Sequence, residues 1–242
     1  MMDQQFSFLW SRPGDPYVRR LRREFGLRRL VAGSGSEYEV VQAICRWAHS
    51  MLIHDSAHEP RADDPISILR EAKKGAAFRC VEFSTVIQGC LTALGIPARN
   101  LGLKTRDVET RVSEAGHVVV EAYLWEMEKW IMCDGQFDTI PIIHGAPINA
   151  VELRRGCERG EDALSVLSQS GTRAEEYLSW IGPYLYYFDI RRDNRVGVRD
   201  RLAEGIMLIP SGAGEPKVMQ RRWPIEAMTY TRSKAAFYAS PQ

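Results

Sequence analysis

The sequence predicts an α+β fold in which helices fill the first hundred residues and antiparallel strands follow. Apolar residues recur at helical spacing in three early stretches, the last of which stops at Gly95. Strand signals take over from residue 98, with a run rich in β-branched residues from His117 to Leu124. Helices first and strands afterwards favour this layout over a doubly wound sheet.

The bulk composition agrees with a soluble globular chain. Its 242 residues suffice for one large domain or two small ones, and 45% hydrophobic with 26% charged residues supports a sizeable core. Lys+Arg 32 against Asp+Glu 31 leaves a net charge of +1, so no global field draws in nucleic acid or an anionic membrane. The local cluster Arg19, Arg20, Arg22, Arg23, Arg28 and Arg29 is expected to be a solvated face. No apolar run reaches membrane-span length, and the opening MMDQQFSFLW lacks the basic and apolar regions of an export signal. The five cysteines (Cys45, Cys80, Cys90, Cys133, Cys157) are irregularly spaced and contain no C-x-x-C pair. Reduced thiols in a cytoplasm fit that pattern better than a disulfide framework or a zinc site.

The elements can be justified in order. After the punctuation Gly33-Ser34-Gly35-Ser36, Ser36 and Glu39 form a capping box that opens a helix to about Met51. Val40, Ile44, Trp47 and Met51 make its apolar stripe. Asp64-Pro65 is an N-cap with proline at the first helical position, and Gly75 is the expected C-cap. From Cys80, the residues Val81, Phe83, Val86, Ile87, Cys90, Leu91 and Leu94 give a helix with a broad buried face, stopped by Gly95 and Pro97. Strands are expected at 98–104, His117 to Leu124 and Trp130 to Asp134, the last two as a hairpin. Asn149 to about Ser170 reads as helical, with a break at Gly156 or Gly160. Alternation at Tyr184, Tyr186 and Phe188, and at Ile206 and Leu208, suggests later antiparallel strands. The expected organisation is an extension over 1–35, a core over 36–145, and a helical and strand segment over 146–242 completing the same domain.

The chemistry lies in Cys80, His117 and Asp134, each at the edge of a regular element. A thiol, an imidazole and a carboxylate are the parts of an activated cysteine nucleophile. Unpaired N–H groups and the macrodipole at a helix start favour a thiolate, and Cys80 is predicted to sit there, whereas Cys90 falls mid-helix on the apolar face. His117 would take and return the proton, Asp134 would orient the ring, and the Cys80 N–H would be one oxyanion donor. The bland counterparts are a buried inert cysteine, a satisfied core histidine and a turn Asp-Gly pair. Cys133 should point away from Asp134 by strand alternation. His49, His54 and His58 invite a metal reading, although only His54 and His58 share helical spacing. His54-Asp55 could instead border the cleft and donate to the oxyanion. The aromatics at Tyr184, Tyr186, Tyr187 and Phe188 read as core.

GAAFRCVEFSTVIQGCLTALGIPAR, then GHVVVEAYL, then KWIMCDGQF resembles the transglutaminase-like superfamily core over about residues 37 to 145. The resemblance implies a papain-like arrangement with the nucleophile helix packed on an antiparallel sheet. Carried over by position, Cys80 matches the nucleophile, His117 the base and Asp134 the orienting acid. Gly135 stands where many members have proline. The implied activity is cysteine-dependent acyl transfer on amide bonds, by a protease, an amidase or a transglutaminase, through a thioester. Its partner would be a peptide, protein or small amide substrate, with no metal or organic cofactor. The alternatives are a catalytically silent interaction module with the same fold, and a metal-dependent hydrolase built on the three histidines.

Overall fold

In the computed structural model, which describes residues 5–57 and 63–241, two short helices precede the first predicted one. α1 (Pro16–Glu24) has proline at its first position and sends Val18 and Leu21 into the core, and α2 (Leu27–Leu30) adds Leu27. Sequence periodicity gave little sign of them, because arginines hold most of the remaining positions of both helices. Arg19, Arg23, Arg28 and Arg29 are exposed, as a solvated face requires, and Arg22 Nη1 donates to the Ala93 carbonyl at 2.7 Å.

α3 (Glu37–Met51) starts where the capping box placed it, with Ser36 Oγ accepting from the Glu39 N–H at 3.2 Å. β1 (Ile53–His54), α4 (Pro65–Ala72) and β2 (Ala77–Phe78) follow, with β1 and β2 paired in parallel. α4 is capped by Asp64 but ends at Ala72, before Gly75, which turns the chain at φ +87°. α5 (Cys80–Leu94) runs from the cysteine to a left-handed Gly95 and is buried along most of its length.

The strands β3 (Ala98–Lys104), β4 (Gly116–Leu124) and β5 (Lys129–Cys133) form an antiparallel meander. Next come β6 (Thr139–Ile143), β7 (Ala146–Pro147), α6 (Ala150–Arg159) and β8 (Leu164–Ser168). The expectation of helix from 149 to about 170 is corrected here. Gly160 adopts φ +60° and ends α6, and Leu164–Ser168 pairs antiparallel with β6. α7 (Ala174–Ile181) leads into a single 3₁₀ turn at Gly182–Tyr184, so β9 (Tyr187–Arg191) begins later than the tyrosine alternation suggested. β10 (Gly205–Leu208), β11 (Val218–Met219), β12 (Trp223–Pro224), β13 (Met228–Thr231) and α8 (Lys234–Phe237) complete the chain.

The main sheet has the order β13-β10-β9-β3-β4-β5, antiparallel except between β10 and β13. Helices cover both faces. Ala98, Val120, Ala122 and Ile131 meet α5 and the helices around it, while Leu101, Leu103, Val119 and Met132 meet α6, α7 and Phe237 of α8. On the second face Arg99 and Glu121, at most 1% exposed, pair at 2.7 Å. Arg99 lies 4.1 Å from the Trp130 ring, and the Tyr238 hydroxyl donates to Glu121 Oε1 at 2.8 Å. That network ties the C-terminal segment to β3 and β4.

Candidate active site

His117 lies one residue into β4, and Asp134 directly follows the neighbouring strand β5. His117 Nε2 and Asp134 Oδ2 are 2.7 Å apart, with side chains 4% and 1% exposed. The Cys80 thiol lies close enough to the same ring to help raise its pKa. Because Asp134 occupies Nε2, the nitrogen left for the sulfur is Nδ1. Three side chains predicted from separate stretches therefore meet at the start of α5. The half-buried Cys80 is its first residue, in a turn whose N–H groups have no intrahelical acceptor.

Burial disfavours the charged His117 ring, but the charge and hydrogen bond of Asp134, joined by those of Cys80, outweigh it and raise the ring's pKa to about 10. At neutral pH the ring therefore holds its proton, with Asp134 accepting at Nε2 and the Cys80 thiol nearby. The other cysteines lie in different surroundings. Burial pushes the Cys90 thiol up. Cys45 is raised first by its hydrogen bond with Cys133 and then by burial. Both Cys45 and Cys133 lie in the helix-side core, so Cys133 faces away from Asp134 as strand alternation requires.

Asp134 is held by more than its histidine. Its backbone N–H and C=O bond Thr139 at 2.8 and 3.0 Å, Oδ1 accepts from the Gln136 N–H at 3.0 Å, and Oδ2 accepts from the Tyr177 hydroxyl at 3.0 Å. Burial raises the Tyr177 phenol well above its ordinary pKa, so it stays a donor. His49 Nδ1 lies 3.2 and 3.1 Å from the carbonyl oxygens of Gly135 and Gln136; facing two acceptors, it must carry a proton. A Cβ on Gly135 would come within 2.3 Å of Ile87 Cδ1, so glycine lets this loop lie against α5. Proline's rigidity is replaced by these hydrogen bonds.

Sequence reasoning missed the aromatic wall. Trp180 meets the His117 ring edge-on at 4.9 Å and 82°, Tyr184 and Phe137 stand 6.2 and 6.4 Å away, and Phe137 packs on Trp180 at 4.5 Å. Tyr177 and Trp180, three apart on α7, thus serve the acid and the ring from one helix face. Their spacing, between Gly171 and the Gly182-Pro183 stop, was the available signal. Tyr184, read from the sequence as core, is buried but borders the ring.

Of the three histidines that invite a metal reading, the two described ones, His49 and His54, lie in different surroundings. His49 braces the loop after Asp134, while His54 lies on β1 with its ring 6.4 Å from Phe83. His58 lies outside the described residues. Among the described residues no group of three or more His, Cys, Asp or Glu could hold a metal, and no helix is long and apolar enough to cross a membrane. His54 pairs with Phe78, two residues before Cys80, so His54-Asp55 stands near that cysteine. A cleft of about 540 Å³ lies along α5 beside the site; Val81, Glu82 and Val118 line it, whereas Cys80 and His117 do not.

Residues 27–135 match the family model described as the transglutaminase-like superfamily. No curated protein matches the chain. Among solved structures, a proposed cysteine protease from Cytophaga hutchinsonii is 16% identical, with 63% of this chain and 47% of that one covered and a TM-score of 0.41. Red sea bream transglutaminase is 14% identical over 80% of this chain and 39% of its own, with a TM-score of 0.42. A proposed protease from Parabacteroides distasonis is 17% identical over 65% of this chain and 30% of its own, with a TM-score of 0.35. The chain spans less than half the length of each of these structures.

Proposed function

With a transglutaminase-like core in residues 27–135 as the premise, we propose that this protein is a cysteine-dependent acyl-transfer enzyme acting on amide bonds, with Cys80, His117 and Asp134 as its triad. One observation supports the reading: a buried imidazole bonded to a carboxylate, beside the thiol that opens a helix.

The chemistry follows from those positions. The Cys80 thiolate attacks the amide carbonyl carbon, and the oxygen gains charge beside the Cys80 N–H in the first turn of α5. As the tetrahedral intermediate collapses, the C–N bond breaks, and the His117 proton passes from Nδ1 to the departing amine. A thioester on Cys80 remains. Neutral His117 then takes a proton from water or from an acceptor amine as that nucleophile attacks the thioester carbonyl. The S–C bond breaks, and the proton on His117 restores the thiolate–imidazolium pair. Asp134 keeps Nε2 protonated throughout, so Nδ1 is always the nitrogen that exchanges the proton. Water is the acceptor we favour, which makes the enzyme a protease or amidase. The substrate class is a peptide, protein or small amide.

Iodoacetamide labelling against pH, with peptide mapping, tests this. Cys80 should be alkylated preferentially at low pH, and His117→Ala should abolish the preference. An electrophilic acyl probe should leave its adduct on Cys80 by mass spectrometry. Uniformly slow labelling of all five thiols would refute the enzyme and leave a silent interaction module with this fold.

A further inference from the structure

A second concave site lies away from the triad, between α6, the ends of β9 and β10, and the segment that follows β13. It encloses about 300 Å³. Five cationic side chains line it: Arg154, Arg155 and Arg159 from α6, and Arg232 and Lys234 from the C-terminal segment. The single carboxylate in the lining, Glu158, is already engaged by Arg154 at 2.6 Å. Arg232 donates to the Ala213 carbonyl at 3.2 Å. Among the described residues, Arg155, Arg159 and Lys234 have no carboxylate partner.

Gathering like charges around a cavity is unfavourable unless something offsets the repulsion. Lys234 registers the strain. Its pKa is lowered, first by burial and then by the charges of Arg155 and Arg154, while Glu158 opposes. The macrodipole explains Arg159 in the last turn of α6, but neither Arg154 and Arg155 in mid-helix nor two further cations arriving from a different segment. The remaining lining is apolar and aromatic, including Tyr186, Phe188 and Leu208. Arg154 lies 5.3 Å and Arg106 5.7 Å from the Tyr186 ring, so the ring stands beside the charges.

We propose that this cavity binds a phosphate monoester on a small organic molecule, the dianion held by Arg155, Arg159 and Lys234 and the organic part resting on Tyr186. Guanidinium forks match phosphate oxygens in pairs, and a dianion relieves the repulsion among unpaired cations. The cavity is at the small end of ligand pockets, which suits a phosphate with a modest apolar substituent and not a folded polymer. This site does not depend on the acyl-transfer reading.

Isothermal titration calorimetry at constant ionic strength tests the assignment, using inorganic phosphate, phenyl phosphate and a single-stranded oligonucleotide. Both phosphates should bind saturably at millimolar concentrations, phenyl phosphate the more tightly because of the Tyr186 wall. Arg155→Ala/Lys234→Ala removes exposed side chains and should weaken phenyl phosphate binding by at least about tenfold, since each lost charge-assisted bond approaches that factor. The proposal fails if neither phosphate binds saturably, if binding survives the double substitution, or if the oligonucleotide binds while the monoester does not.

Discussion

Replacing Asp134 with asparagine should uncouple the proton of His117 from the site. Burial alone drives the ring towards its neutral form; the carboxylate's charge and hydrogen bond raise its pKa to about 10. Without that charge, burial prevails, and the midpoint should fall to the ordinary 6.5 or below. The rise from 6.5 to about 10 corresponds, at about 1.4 kcal/mol per pKa unit, to at most roughly 5 kcal/mol, shared between Asp134 and Cys80. Because the folded-state value lies above the ordinary one, this stability is fully present below pH 6.5 and lost as pH rises through 10. The wild-type protein should therefore lose thermal stability progressively as pH rises from 6.5 to 10, whereas Asp134→Asn should lack this contribution throughout that range. Histidine ring NMR, assigned with His117→Gln, reads the midpoint directly. Cys80 alkylation gives the functional readout: the wild-type rate should change little between pH 6 and 8, and the variant's should climb steeply as the thiol ionises without an imidazolium partner. A His117 midpoint near 10 in Asp134→Asn would refute the reasoning.

Three further outcomes follow from the same contacts. Tyr177→Phe keeps the ring packing but removes one donor to Asp134 Oδ2; it should lower kcat about tenfold with KM little changed, and lower the melting temperature by roughly 3–10 °C, as a hydrogen bond to a charged group contributes roughly 1.5–3 kcal/mol. Gly135→Ala should cost about 1–3 kcal/mol in urea unfolding, because its Cβ meets Ile87 Cδ1, and Gly135→Ala/Ile87→Val, which removes that methyl, should recover part of it. Glu121→Ala strands the buried Arg99 and should lower the calorimetric melting temperature by roughly 10 °C, from a loss of about 3–5 kcal/mol in a chain of this size.

What was legible in the sequence was mostly local. Ser36 with Glu39, Asp64 with Pro65, and Gly95 each write a helix boundary into a few adjacent residues, and the structure places a boundary at each. Alternation across a strand is equally local, and it separated Cys133 from Asp134 correctly. The errors came where two local signals compete. Residues 149–170 carry a helical pattern, but Gly160 takes a left-handed turn and Leu164–Ser168 finds a strand partner in β6. Helix α1 has few apolar residues among its arginines, and only its contact with the core reveals why Val18 and Leu21 are there.

The candidate site divides along the same line. Cys80, His117 and Asp134 were visible because each sits at an element edge inside the stretch that resembles a family. Tyr177, Trp180 and Phe137 were not, since nothing near Tyr177 in sequence signals a carboxylate that lies 43 residues upstream. Yet α7 supplies both the acid's second side-chain donor and the edge-on contact to the imidazole. Side chains that brace the carboxylate and pack on the imidazole thus lie outside residues 27–135. The matched core can therefore place Cys80, His117 and Asp134 while the segment after it braces the carboxylate and the ring. If the proposed acyl transfer holds, substitutions in α7 and the turn at Gly182–Tyr184 should alter it, because one helix face contacts both the carboxylate and the ring.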